Sequence, residues 1–164
     1  MRLAGSDAYR EGKSWTRFWL SGAVPVARDG GNSDHARAAF GRFVAEAVFW
    51  TPAALLPGPD ISWEATGDNA ARVTLSRGDL QQSVDLIIDE NGAVTQVSFD
   101  RWSDANPEKT YRLQRFGGHL SEYRTFQGFT LPTRIEAGNL LGTADYFPFF
   151  RAHLSAIDFP SARP

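Results

Sequence analysis

The chain contains no cysteine. That excludes disulfides, thiol nucleophiles and thiolate metal sites, and it leaves the redox compartment open. Lysine is almost missing as well: Lys13 and Lys109 stand against fifteen arginines. The plain reading is a GC-rich coding sequence; the functional one is anion recognition by guanidinium forks. There is no excess of either charge. The net charge of −2 sets up no field that would recruit nucleic acid or an anionic membrane, so no nucleic-acid partner is expected. No apolar run approaches the roughly 20 residues that span a bilayer, so no transmembrane segment is expected. The opening MRLAGSDAYREGKS lacks the apolar core of a secretory signal, which predicts a cytoplasmic protein. Neither GxSxG, a P-loop, GxGxxG nor HExxH occurs. No catalytic residue, metal site or cofactor is therefore assigned.

What is present fits a folded domain. The 164 residues are 42% hydrophobic and 22% charged, enough for one domain (1–164) with a real core. Aromatics make up 13%, twelve of them phenylalanine. That density suits a curved sheet wrapped on a helix, or an apolar cavity.

The clearest element is residues 33–57. Ser33 and Asp34 can cap a helix N-terminus, and Gly31 and Asn32 are turn residues before them. Phe40, Phe43, Val44, Ala47 and Val48 recur on one helical face. Pro52 ends the helix near residues 49–51. Gly41 sits mid-helix, which reads as a close packing contact.

Residues 1–12 read as a lead-in and 14–20 as a strand, with a short extended piece at 24–26 and a loop at 28–32. After the helix the period becomes 2. Strands are predicted at 61–65, 72–76, 82–89, 93–102, 110–116, 119–126, 133–137 and 149–159, with Gly117-Gly118 as a tight turn and the tail PSARP frayed. Short, regular turns favour an antiparallel meander over βαβ units. Eight or nine strands and one principal helix make an α+β fold: a curved antiparallel sheet, a half-open β-barrel, with the helix across its concave face.

Few residues invite chemistry. Glu46 lies near the helix C-terminus, where the macrodipole disfavours an anion. It is either an ion pair with Arg42, one turn back, or a buried carboxylate held by an arginine from the sheet. His35 is placed in the first exposed helical turn. His119, His153 and Glu46 share no ligand spacing. Asp85 and Asp89 fall on one solvated strand face. Arg112, Arg115, Glu122, Arg124, Arg134 and Glu136 predict a cross-strand charge ladder. Tyr146, Phe147, Phe149 and Phe150 either close the core or rim an apolar pocket.

Three runs carry a family resemblance: AEAVFWTPAALLP (45–57), LSEYRTFQGFTLPTRIEAG (120–138) and YFPFFRAHLSAIDF (146–159). They resemble a bacterial family of unknown function whose wording is close to AEAVWxPTALLP, DYREVDGMRVPTxGEVAW and FPYWRGRITEIEY. The resemblance implies no activity, cofactor or catalytic residue. It does imply a longer N-terminus, so that this chain starts partway in and leaves a sheet edge exposed. More distantly, residues 123–135 are similar to the lipoprotein-sorting carriers, half-barrels with helices over an apolar concave face.

Three functional readings follow. The first is a non-enzymatic module holding an apolar small molecule or lipid between helix and sheet. Its lining candidates are Phe40, Phe43, Val44, Trp50, Phe99, Phe147 and Phe150, with Glu46 beside them. The second is a small enzyme using Glu46 with an arginine or histidine. The third is an interaction module, forming a homo-oligomer through a sheet edge.

Overall fold

The computed structural model describes residues 2–159. The PSARP tail lies outside them. Ten strands and one α-helix are present among the described residues, in two antiparallel sheets. The first sheet holds β1 (Leu3–Arg10), β2 (Lys13–Leu20) and β3 (Val24–Gly30), in that spatial order. Helix α1 (Ser33–Trp50) follows, then a 3-10 turn at Pro52–Leu55. The second sheet holds β4 (Ile61–Gly67), β5 (Ala70–Arg77), β6 (Leu80–Ile88), β7 (Val94–Ser103), β8 (Arg112–Phe126), β9 (Phe129–Asn139) and β10 (Phe147–His153). Within each sheet consecutive strands pair, and the larger sheet stays open, with β4 and β10 at its edges. The α+β class and the antiparallel meander are as the sequence predicts.

Two expectations are corrected. The lead-in expected at 1–12 is instead a strand from Leu3: Leu3 to Arg10 pair with β2 along its whole length, from Leu3 opposite Leu20 to Arg10 opposite Lys13. Only the half-buried Tyr9 packs on the core from this strand, so its sequence carries almost no alternation. The extended piece at 24–26 likewise continues to Gly30, through what reads as a loop. Second, Gly117-Gly118 is no turn. Both glycines lie inside the 15-residue β8, opposite Ser98 and Val97 of β7. They are glycines because backbones crowd them. A Cβ on Gly117 would stand 2.4 Å from the Val97 carbonyl oxygen, and one on Gly118 would stand 2.2 Å from that of Glu136.

The helix forms where its apolar stripe requires and stops at Pro52. Its cap is Asn32 rather than Ser33 or Asp34: the Asn32 side chain accepts from the His35 N–H at 2.7 Å. Asp34 instead accepts the Trp102 indole N–H at 2.8 Å, tying the first turn of α1 to β7. Phe40, Val44, Ala47 and Val48 pack with Val73, Leu75, Val84, Leu86, Val97 and Phe99 from the alternating positions of β5 to β7. Burying each large side chain contributes about 1.5–3 kcal/mol. Gly41 is the close contact expected of it, with Gln82 and Phe99 against it. From the other sheet Tyr9 reaches Phe40 at 5.5 Å and Phe43 at 6.2 Å between ring centroids. One helix thus serves two sheets.

Candidate functional site

Past the middle of α1 the core is not filled. A groove of about 200 Å³ runs between the C-terminal half of the helix and β7 to β10. Ala45 and Phe49 form its helix wall; Phe99, Phe116 and Ile135 form its floor; Phe149 and Phe150 stand at its mouth. Small residues keep it open: Ala45 and Ala137 are both buried and face it where larger side chains would fill it. Arg42, Glu46 and Arg101 supply its polar lining.

That polar lining continues a chain of hydrogen bonds coming from the first sheet. The buried His35 sits between Ser14, 2.6 Å from Nδ1, and Thr16, 3.1 Å from Nε2. Thr16 donates its hydroxyl hydrogen to Asp7 at 3.1 Å, so it accepts from His35 Nε2. Asp7 accepts in turn from Arg42, which is also 3.2 Å from Glu46. Burial pushes the Asp7 carboxyl up, but the hydrogen bond and charge of Arg42, with the Thr16 hydroxyl, hold it below the usual range. The Asp7 bond raises Arg42 further. Burial raises the Glu46 carboxyl, against the pull of Arg42.

Arg101 has no such partner. Among the described residues it is in no ion pair, and its Nε is a buried donor with no acceptor. Burial, then the neighbouring Arg42, lowers its pKa. The Phe116 ring lies 5.3 Å from its guanidinium carbon. The guanidinium thus lies over the ring face, a contact that gives the Nε–H no acceptor.

The sequence candidates divide. The groove takes Glu46, Phe99 and Phe150. Phe40 and Val44 are wholly buried in the packed core. Phe43 lies under Tyr9, Trp50 packs on Phe49 at 4.9 Å, and Phe147 is 65% exposed. Glu46 takes the first of the two readings weighed for it: it pairs with Arg42 at 3.2 Å and is about half exposed, and no sheet arginine is in an ion pair with it. Arg101 itself carries no signal, because an arginine beside Trp102 on an alternating strand reads as surface. His35 is corrected: it is buried, since β2 covers the first turn of the helix. His119 meets Tyr146 edge-on, and His153 is 3.8 Å from Glu122. Among the described residues no group of three or more histidines and carboxylates is placed to hold a metal ion, and no helix is long and apolar enough to cross a membrane.

The expected charge ladder is present only in part: of its six residues just Glu122 and Arg134 pair with each other, while Arg112 pairs with Glu108, Arg115 with Asp85, and Glu136 with Arg151. Arg134 pairs with Glu122 across β8 and β9 at 3.2 Å, and Arg151 with Glu136 at 3.1 Å. Asp85 is no free solvated carboxylate, being paired with Arg72 at 2.6 Å and Arg115 at 3.5 Å. Such exposed pairs are worth roughly 0.2–1 kcal/mol.

Fold and groove define an α+β protein in which one helix lies against two antiparallel sheets and leaves an apolar groove beside the larger one. The chain belongs to a family of unknown function, DUF6544, whose profile matches residues 1–152. No curated protein matches it, and no solved structure does.

Proposed function

We propose that the protein is a non-enzymatic binding module that holds an apolar or lipid-like ligand in the groove between α1 and β7 to β10, the sheet acting as a half-barrel. The supporting observation is the groove itself: about 200 Å³ beside a packed core, walled by phenylalanines and aliphatic residues. A dry, filled interior would need only larger residues at Ala45 and Ala137. Glu46 shapes the polar lining in this reading. It is tied to Arg42, and its only titratable companions in the groove are arginines, which neither give nor take protons. Ser14 and His35 resemble a nucleophile and base, but Ser14 is buried and does not line the groove.

Native mass spectrometry of the protein as purified, followed by organic extraction, tests this. A bound mass that extracts as an apolar compound is the expected result. A clean apo mass, together with no response to added medium-chain lipids, overturns it.

A further inference from the structure

We propose that the far end of the first sheet is a docking tip, which seats the protein on the surface of an anionic phospholipid bilayer. The tip shares no residue with the groove, so neither reading depends on the other. Helix α1 meets this sheet at one end: Tyr9 reaches Phe40, Asp7 accepts from Arg42, and Ser14 and Thr16 bond His35. Beyond those residues the strands run on to Leu3, Leu20 and Val24, which lie side by side and stay out of the core. Leu3 is 59%, Val24 57% and Val26 53% exposed, with the half-buried Trp19 beside them. Residues 18–27, FWLSGAVPVA, carry no charge. Exposed apolar surface gathered in this way marks an interaction site. The backbone at the tip is already bonded. Ser21 and Gly22, at φ +50° and +74°, form a two-residue turn closed by the Ala23 N–H on the Leu20 carbonyl at 3.1 Å, and the Ser21 N–H donates to the Arg2 carbonyl at 2.6 Å. That lowers the cost of leaving water.

Charge selects the surface. Arg17 and Arg28 close the two ends of the uncharged run and stand directly opposite each other on β2 and β3. Like charges so placed repel. Among the described residues neither is in an ion pair, nor is Arg2 at the start of β1. The acids of these strands are engaged elsewhere: Asp7 holds Arg42, and Asp29 lines a pocket with His35. The net charge of −2 conceals this segregation. Phosphate headgroups relieve the Arg17–Arg28 repulsion while the aliphatic tip enters the headgroup boundary. A partner strand is a poorer occupant. Pro25 removes a donor from the β3 edge, and the register shift there leaves Val26 unpaired. A lipid surface needs no backbone ladder.

The test sediments the full chain with phosphatidylcholine vesicles, alone or with about 30% phosphatidylglycerol. Binding to the anionic vesicles should be about tenfold tighter than to the neutral ones and should weaken as salt rises. Val24→Asp combined with Val26→Asp should weaken it by about tenfold or more. Arg17→Gln combined with Arg28→Gln should remove the preference for anionic vesicles. Both pairs alter exposed side chains, and thermal melts check that each variant folds. Tryptophan emission should move to the blue on binding, less so in Trp19→Phe. Vesicles that bring down no protein overturn the proposal. Equal binding to both vesicles overturns it, as does binding that neither pair of substitutions changes. A size-exclusion dimer that the Val24→Asp and Val26→Asp pair dissolves, without vesicle binding, assigns the tip to a second copy and overturns it as well.

Discussion

Thr133 has no exposed surface, and its hydroxyl donates to the Glu122 carbonyl at 2.5 Å. Glu122 stands at φ +55°, inside a strand, where an L-residue is strained by about 1–2 kcal/mol. Register resumes on either side, Ser121 opposite Arg134 and Tyr123 opposite Pro132. The threonine thus takes the place of a ladder bond at the kink. Thr133→Val, which keeps the shape and removes the donor, is expected to lower unfolding free energy by about 1–3 kcal/mol in urea titrations. Gly118→Ala pushes a methyl group onto the Glu136 carbonyl and the Ala137 Cα, 2.6 Å away; a loss of about 3 kcal/mol or more should show as a large drop in melting temperature. Neither role is legible in sequence. A Gly-Gly pair marks a turn as readily as a crowded crossing, and only the neighbouring backbones decide between them.

At the scale of elements, α1 and β1 are joined by Asp7, Arg42 and Glu46, and the two acids should respond to pH in opposite senses. The Asp7 carboxyl is held low in the folded state. Its contribution is therefore present above the ordinary carboxylate range and lost as pH falls through the lowered value. Asp7→Asn should be less stable than the parent at pH 7 by about 1 kcal/mol, given its partly exposed partner, with the gap closing in acid. The Glu46 carboxyl is raised, so the folded state holds its proton longer, and stability falls as pH rises through the window between the ordinary and raised values. Glu46→Gln should be more stable than the parent at pH 7 and indistinguishable from it below the carboxylate range. Urea midpoints at several pH values read both slopes. The helix was legible because its stripe has period 3.6 and a proline stops it. The strand β1 was not, because only one of its residues packs on the core.

At the scale of the molecule, the open sheet leaves two edges, and β10 carries exposed aromatics: Phe149 is 52% and Phe150 43% exposed. Pro148 and the register shift before Phe150 interrupt that edge. Pro148→Val is expected to shift size-exclusion profiles toward larger species at high concentration while leaving the melting temperature within about 1 kcal/mol equivalent of the parent. The sheet was legible because strands β5 to β7 alternate cleanly. The groove was only half legible: Glu46, Phe99 and Phe150 were read as candidates and line it, but its emptiness comes from Ala45 and Ala137, and small residues leave no mark in a hydrophobic pattern.

The strictly sequential meander also sets a timetable. The helix leaves the ribosome about 50 residues before the end of β7, a main strand of its cover, an interval of several seconds at roughly 5–20 residues per second. During those seconds Phe40 and Val44 have no larger sheet to enter. The three strands made before the helix are already available, and Tyr9 lies against Phe40. The small sheet that contributes least to the finished core is thus the first surface the helix can lie against.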